Sequence, residues 1–169
     1  MKSTFRHRRW ESPIGVYLLV VDEEGRLAGV YRDGQRHLPD DAALGERDDT
    51  VAEEVVEQLA EYFAGERREF DLELAPRGTE FQREVWAALR AIAYGETTTY
   101  GELARLIGRP QASRAVGAAT GRNPWSIIVP CHRLVGGNGS LTGYAGGLEA
   151  KEFLLELESG GPVQPALDA

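Results

Sequence analysis

Cys131 and His132 are adjacent residues that could carry out nucleophilic chemistry. Cys131 is the only cysteine among 169 residues, so it can form no disulfide within the chain and belongs to no multi-cysteine zinc site. A thiol reacts as its thiolate, which needs a base or a positive neighbour, and His132 follows at once. The pair therefore predicts a nucleophile, against the background that a free cysteine is usually an inert buried residue.

A histidine that acts as a base is usually oriented by a carboxylate. The last predicted helix offers three carboxylates on spacing grounds: Glu152, Glu156 and Glu158. On a strand, Cys131 and His132 would point to opposite faces, so an interaction between them requires a turn at Pro130 or a bridging water. The residues alone leave these alternatives open.

The second half of the chain predicts mostly helices. Thr79 is the expected N-cap of one helix, and Thr99 is the expected start of a short helix with Glu102 as its capping-box partner. A turn around Gly108 leads to a second short helix, expected over 112–120. Two short helices joined by a turn form a helix-turn-helix pattern, which binds DNA in some proteins and has no such role in others.

The residues around the cysteine predict three further segments. Residues 127–130 are apolar and are expected to form a strand that delivers Cys131. The glycine-rich stretch 136–147 allows backbone groups to approach a ligand closely. A helix is expected over 148–158, and the residues after about 159 are expected to be disordered.

The first half predicts a small α+β unit without an evident reaction. Residues 15–21 and 26–31 are expected to form a hairpin, and 70–74 one more strand. A helix is expected over 50–64, with Thr50 as its N-cap. Pro76-Arg77-Gly78 interrupts the pattern, so we expect an N-terminal α+β domain over 1–77 and a mainly helical domain over 78–169.

Charge is unevenly distributed along the chain. The net charge is −8, but residues 40–73 alone hold 13 acidic residues against three arginines. Residues 99–123 hold a single acid, Glu102, and four arginines: Arg105, Arg109, Arg114 and Arg122. A basic face is therefore available to phosphates. No apolar run is long enough to span a membrane, and a lone cysteine without an export signal predicts a cytoplasmic protein.

Four ordered motifs resemble one protein family. They are Arg114-Ala115-Val116-Gly117, Asn123-Pro124, Pro130-Cys131-His132-Arg133, and Gly143-Tyr144-x-Gly146-Gly147-Leu148-x-x-Lys151. Together they resemble the O6-alkylguanine-DNA alkyltransferases, also called methylated-DNA–protein-cysteine methyltransferases. The resemblance is close from about Gly78 to Glu158 and loose before it.

The resemblance implies a fold and a reaction. The fold would be α+β, with a ribonuclease H-like sheet followed by a mainly helical domain containing the helix-turn-helix. Cys131 would take the alkyl group from O6-alkylguanine in DNA once and irreversibly, with O4-alkylthymine as a second candidate substrate. Glu158 would complete a relay from Cys131 through water and His132, and Tyr100 would give a proton to the departing guanine. No cofactor and no metal are expected.

The resemblance also implies a partner and a binding surface. The partner would be double-stranded DNA containing O6-alkylguanine, bound by a protein that is monomeric without DNA and has no membrane partner. Arg114 would enter the duplex where the target nucleotide is flipped out, and Asn123 would be the hinge between the helix-turn-helix and the cysteine. The other expected DNA-contacting residues are Thr99, Ser113, Ala115, Thr120 and Arg122. The expected pocket residues are Leu134, Tyr144, Ala145, Gly146, Trp125 and Ser126.

Three alternative functions make different predictions. A non-catalytic module that recognises alkyl lesions would bind damaged DNA without covalent change. A Cys-His hydrolase would turn over esters or peptides through an acyl intermediate. A helix-turn-helix regulator with a buried cysteine would bind one operator sequence.

Overall fold

The computed structural model describes residues 4–141 and 143–160, which divide into two compact units between Pro76 and Arg77. The first unit contains a four-stranded sheet, whose strands are β1 (Arg6–Ser12), β2 (Gly15–Val21), β3 (Leu27–Arg32) and β4 (Glu46–Arg47). Their order in the sheet is β3-β2-β1-β4. β2 pairs antiparallel with both β1 and β3, whereas β4 lies parallel to β1.

The central strand β2 is apolar, and five consecutive residues, 17–21, are buried in it. The predicted hairpin of β2 and β3 is present, but β1 was missed. Three arginines interrupt its alternation, and each of them lies opposite an apolar residue of β2. A strand that pairs with a buried neighbour can carry charges whose stems cover the sheet.

Two helices complete the first unit, α1 (Asp41–Leu44) and α2 (Glu53–Phe63). The prediction that Thr50 is the N-cap of α2 was wrong. The Thr50 hydroxyl donates to Asp48 at 2.5 Å, so it is held in a turn before the helix, and Ala52 precedes α2 with a φ of 60°. The strand expected over 70–74 is reduced to a single bridge between Leu27 and Leu74.

The second unit is built on four helices: α3 (Glu80–Arg90), α4 (Tyr100–Leu106), α5 (Ser113–Gly121) and α6 (Leu148–Glu158). Both predicted threonine caps are present. Thr79 accepts from the backbone of Gln82, and Thr99 accepts from the backbone of Glu102. α3, α4 and α5 pack against one another, so the helix-turn-helix pair α4–α5 rests on α3. Gly108 adopts a φ of 75° in the turn, a conformation that glycine adopts without steric cost.

A short parallel strand pair links the helix-turn-helix to the cysteine segment. β5 (Thr98–Thr99) immediately precedes α4 and pairs with β6 (Leu134–Val135), which follows the cysteine. Cys131, His132 and Arg133 themselves form one turn of 3-10 helix. The start of α4 and the reactive segment are thereby fixed to each other by backbone hydrogen bonds.

The strand predicted over 127–130 was wrong. Those residues lie in a succession of tight turns, and all of them are buried. An apolar run shows that a segment is buried without showing which backbone conformation it takes. None of the helices in 4–141 and 143–160 has the length and apolar character that crossing a membrane requires.

Candidate active site

Cys131 is the first residue of the 3-10 helix and is 8% exposed. Pro130 precedes it with φ −78° and ψ 64°, so the chain turns directly before the thiol. The Leu134 N–H donates to the Cys131 carbonyl and closes the helical turn. The turn at Pro130, one of the two arrangements that the sequence left open, is therefore present.

His132 lies at the centre of the site with its side chain fully buried. Its Nε2 is 2.6 Å from Oε2 of Glu158, at the end of α6. A carboxylate accepts, so the Nε2 proton donates to Glu158 and Nδ1 is left as the acceptor. Nδ1 is buried and has no hydrogen-bond partner within the described part of the chain. Of the three carboxylates considered from sequence, Glu152 and Glu156 are exposed.

Arg133 fixes the carboxylate that holds His132, a role that the sequence analysis did not predict. Its Nε lies 2.7 Å from Oε1 of Glu158, and a terminal nitrogen lies 3.0 Å from Oε2. The other terminal nitrogen donates to the Ile92 carbonyl at 2.6 Å, and the guanidinium lies over the Tyr94 ring at 5.7 Å. A bidentate pair of this kind holds both oxygens of the carboxylate in one plane.

Lys151, on α6, is a second residue whose role was missed. It is fully buried, and its Nζ donates to the Leu134 carbonyl at 2.6 Å. Its ammonium acts on the Cys131 thiol in the direction that lowers the thiol pKa. The signal in the sequence is a lysine one turn before Leu154 and Leu155, on the apolar face of a helix.

Burial sets the protonation states of the reactive pair. It raises the pKa of the Cys131 thiol above its usual value, while the Asn123 side chain and Lys151 act in the opposite direction. Burial also lowers the pKa of His132, although Glu158 opposes that change. At neutral pH the histidine is therefore neutral and able to accept a proton.

The lowered pKa of His132 predicts a loss of stability in acid. The unfolded chain binds a proton at this histidine below its ordinary pKa of about 6.5, whereas the folded protein does not. The free energy of unfolding should then fall by about 1.4 kcal/mol per pH unit below about 6.5. Urea unfolding at pH 7.5, 6.5 and 5.5 measures this slope. A His132→Gln variant should show a flatter slope, and an equal slope in both proteins would contradict the assignment.

Asn123 joins the end of α5 to the cysteine segment. Its Nδ2 donates to the carbonyls of Val129 at 2.9 Å and Trp125 at 3.3 Å, and its Oδ1 accepts from the Trp125 N–H at 2.9 Å. The side chain is buried, so these bonds fold residues 123–129 into a closed loop. The role of Asn123 as a hinge between the helix-turn-helix and Cys131 stays a prediction.

The predicted pocket residues fall into two groups. Trp125 and Ser126 are buried, and the Trp125 ring packs edge-on against Trp86 of α3 at 5.5 Å between centroids. That contact places the Trp125 ring against the helical core. The assignment of Trp125 and Ser126 to the pocket rim stays a prediction.

The remaining predicted pocket residues are Leu134, which follows the reactive segment, and Tyr144, Ala145 and Gly146. Leu134 is fully buried, and its N–H and carbonyl already bond Cys131 and Lys151. Tyr144 is buried and Ala145 partly so. A Cβ on Gly146 would lie 2.8 Å from the Tyr144 ring, so glycine lets that ring lie where it does. A Cβ on Gly143 would lie 3.9 Å from the hydroxyl of Tyr100, which is half-buried at the start of α4.

The predicted DNA-contacting residues differ in accessibility. Arg114, Ala115 and Arg122 are exposed and Ser113 is half-buried. Thr120 was expected to contact DNA, but it is buried, and its hydroxyl donates to the Val116 carbonyl at 2.7 Å. The helix turns this side chain inward, away from the exposed side of α5. The Thr99 hydroxyl bonds the backbone and side chain of Glu102 as a helix cap.

Within residues 4–141 and 143–160, no cluster of three or more histidine, cysteine, aspartate or glutamate side chains could hold a metal ion.

The chain matches two family models that together cover most of its length. Residues 5–76 match the 6-O-methylguanine DNA methyltransferase, ribonuclease-like domain, and residues 80–160 match the 6-O-methylguanine DNA methyltransferase, DNA binding domain. The chain belongs to this family. The resemblance drawn from the four motifs is confirmed, and so is the predicted fold class.

Relatives within the 6-O-methylguanine DNA methyltransferase family are similar over nearly their whole length. The methylated-DNA–protein-cysteine methyltransferase of Methanosarcina acetivorans is 56% identical over 151 residues, covering 88% of this chain and 95% of the relative. That of Mycolicibacterium paratuberculosis is 50% identical over 152 residues, covering 90% of this chain and 91% of the relative. The solved structure of Mycobacterium tuberculosis OGT in complex with DNA has a TM-score of 0.86 at 47% identity, covering 93% of this chain and 95% of the solved one.

Proposed function

We propose that this protein repairs DNA by transferring the alkyl group from O6-alkylguanine to the sulfur of Cys131. The observation that carries the proposal is the buried hydrogen bond between His132 and Glu158 beside the lone cysteine. Membership of the 6-O-methylguanine DNA methyltransferase family supplies the reaction class. The protein is accordingly a methylated-DNA–protein-cysteine S-methyltransferase.

The first step of the proposed reaction is removal of the thiol proton. His132 is neutral, and its Nε2–H is committed to Glu158, so Nδ1 is the nitrogen that can accept a proton. The proton passes from Cys131 to Nδ1 through a bridging water. Glu158 stabilises the imidazolium that forms, and Arg133 holds that carboxylate in place through two hydrogen bonds.

The second step is displacement at the alkyl carbon. The Cys131 thiolate attacks this carbon, a carbon–sulfur bond forms, and the bond from carbon to O6 breaks with its electron pair passing to guanine. Guanine must then gain a proton, and Tyr100 is the proposed donor, because a neutral base leaves more readily than an anion. The product is guanine in DNA and a thioether on the protein.

The proposed reaction occurs once per molecule. A thioether is a poor leaving group, and the groups placed around Cys131 are an imidazole, a buried ammonium and backbone amides. These groups and the Asn123 side chain offer a base, positive charge and hydrogen bonds, and none of them attacks the new carbon–sulfur bond. The protein therefore acts as a stoichiometric reagent with no cofactor.

The proposed DNA surface is the exposed side of α4 and α5. Arg114 in the first turn of α5 would fill the space left by the flipped nucleotide, since a planar guanidinium stacks between base pairs. Ser113, Ala115 and Arg122 would lie along the same surface. We propose that the protein works on double-stranded DNA as a monomer in the cytoplasm, where its single thiol stays reduced.

Mass spectrometry tests the proposal directly. The purified protein is mixed with a duplex oligonucleotide that carries one O6-methylguanine, and the intact and digested protein is weighed. We expect a gain of one methyl group per molecule, confined to the peptide containing Cys131. A Cys131→Ser variant should bind the same duplex and gain nothing.

The other functions predict different outcomes of that experiment. Binding of the lesion without a mass gain would indicate a damage-recognition module. Failure to prefer the lesion, with binding to one undamaged sequence, would indicate a regulator. Hydrolysis of a peptide or ester that is abolished in the Cys131→Ser protein would indicate a hydrolase.

A further inference from the structure

Ile127 has a backbone conformation that isoleucine rarely adopts. Its φ is 73°, and among the described residues only His37 and Ala52 share a positive φ without being glycine. For a β-branched side chain this region is a marked outlier, because Cβ approaches the neighbouring carbonyl. Ile127 is also 1% exposed, whereas His37 is exposed. A buried, strained residue must be held by its surroundings.

The strain belongs to a pair of three-residue turns that lead into Cys131. The Ile128 N–H donates to the Ser126 carbonyl at 2.8 Å, which makes Ile127 the centre of a γ-turn of the rare, positive-φ form. The Cys131 N–H donates to the Val129 carbonyl at 2.7 Å around Pro130, whose φ and ψ are those of the common inverse form. The chain thus reverses twice within the six residues 126–131.

Asn123 ties both turns to the end of α5. The Val129 carbonyl accepts from Asn123 Nδ2 and from the Cys131 N–H, so one oxygen connects the hinge side chain to the backbone of the nucleophile. The Val129 N–H in turn donates to the Trp125 carbonyl at 2.9 Å, across the turn that Ile127 occupies. Any relaxation of Ile127 toward negative φ would displace Val129 and with it this shared acceptor.

We propose that Ile127 is a positioning residue for Cys131. Its buried side chain holds the strained turn in place, and this turn aligns Cys131. The side chain keeps the backbone strained because a return to negative φ would swing it away from the site that it fills. The consequence is a fixed Val129 carbonyl and a fixed entry into the 3-10 helix. The inference rests on the proposed transfer to Cys131, which it deepens by naming a residue that sets the geometry of attack.

The test compares three substitutions in the full chain. Ile127→Gly removes both the side chain and the strain, Ile127→Val keeps the β-branch, and Ile128→Gly makes the same truncation one residue later, where φ is not positive. The readouts are the transfer rate constant at saturating methylated duplex, the dissociation constant for that duplex, and the folded fraction by circular dichroism. All rates are measured below the melting temperature and divided by the folded fraction.

We expect Ile127→Gly to lower the rate constant by about tenfold or more, since small misplacements of a reacting group have effects of that size. The affinity for the methylated duplex should change little. Ile127→Val should keep the parental transfer rate constant. An equal rate loss in Ile127→Gly and Ile128→Gly would overturn the proposal, as would an unchanged rate in folded Ile127→Gly.

A second readout separates this inference from the proposed function. Cys131 is the lone cysteine, so the rate of carboxamidomethylation by iodoacetamide as a function of pH reports its thiol without DNA. We expect the pH midpoint of the carboxamidomethylation rate to differ from the parental value in Ile127→Gly and to equal it in Ile127→Val. If the parental protein transfers no methyl group, the proposed function fails. The pH midpoint then still decides the positioning role, because an unmoved midpoint in Ile127→Gly overturns it.

Discussion

Replacement of Lys151 by methionine is expected to slow alkyl transfer at neutral pH by about tenfold for each unit by which the thiol pKa rises. The ammonium is fully buried, and it lowers the pKa of Cys131 against the effect of burial. The thiolate in turn favours the charged form of Lys151, whose pKa burial lowers. Methionine keeps most of the length of the side chain and removes the charge, so the thiolate loses the positive group that stabilises it.

The pH dependence of the rate separates this electrostatic role from a structural one. In Lys151→Met the rate should recover as the pH is raised, because the thiol then ionises without help. A rate that is lowered equally at every pH would show that the lysine acts through packing alone. Lys151→Arg is the matched variant, since it keeps a positive charge at the same position, and it should retain more activity than Lys151→Met at pH 7.

The Lys151→Met variant should also be less stable. The Leu134 carbonyl would lose a charged donor at 2.6 Å inside the protein. An unsatisfied buried acceptor costs about 1–3 kcal/mol. Urea unfolding of both proteins measures the difference, and it corrects the transfer rates for any unfolded fraction.

Replacement of Glu158 by glutamine is the second change with a large expected effect. Glu158 accepts one bond from His132 and two from Arg133, and its side chain is 1% exposed. Glutamine has nearly the same shape, but it leaves the guanidinium without a buried counter-charge. Removing one partner of such a pair costs about 3–5 kcal/mol, so we expect the free energy of unfolding to fall by that order.

The same substitution should slow transfer by about 10²-fold or more, the usual contribution of a positioned general base. An amide neither fixes the tautomer of His132 nor stabilises its imidazolium form. Glu156→Gln is the matched control, because Glu156 lies on the same helix but is exposed. It should leave both rate and stability unchanged. A Glu158→Gln protein that transfers at the parental rate would exclude the relay through this carboxylate.

Local rules predicted the helices of the second unit, because the signals that start them are close in sequence. The caps Thr79 and Thr99 each bond a residue three positions later, so the pattern contains the interaction. Thr50 has the same local signal, but Asp48 lies nearer and takes its hydroxyl. The N-terminal strand was missed because its pairing with β2, which its own sequence pattern does not contain, determines its conformation.

The reactive segment could be predicted only in part for a related reason. Adjacent cysteine and histidine indicated the chemistry, but residues 127–130 gave a strand in place of two turns. Backbone hydrogen bonds close the two turns, and the Asn123 side chain holds them through the carbonyls of Trp125 and Val129. Apolar periodicity contains no record of these bonds. Lys151 lies 20 residues after the thiol in sequence, and Arg133 is held in part by the Ile92 carbonyl, 41 residues before it. Sequence spacing alone does not show contacts between residues so far apart.

The edge-on pair of Trp86 and Trp125 gives the chain an optical label of its own. Trp86 is anchored by its indole N–H to the Ala119 carbonyl at 2.8 Å, whereas Trp125 belongs to the loop that Asn123 holds before the reactive segment. Trp10, the remaining indole, lies in the first unit. A Trp10→Phe protein would therefore emit from this pair alone. Its fluorescence could follow the rearrangement around a methylated sulfur in real time, with no dye attached to the only thiol.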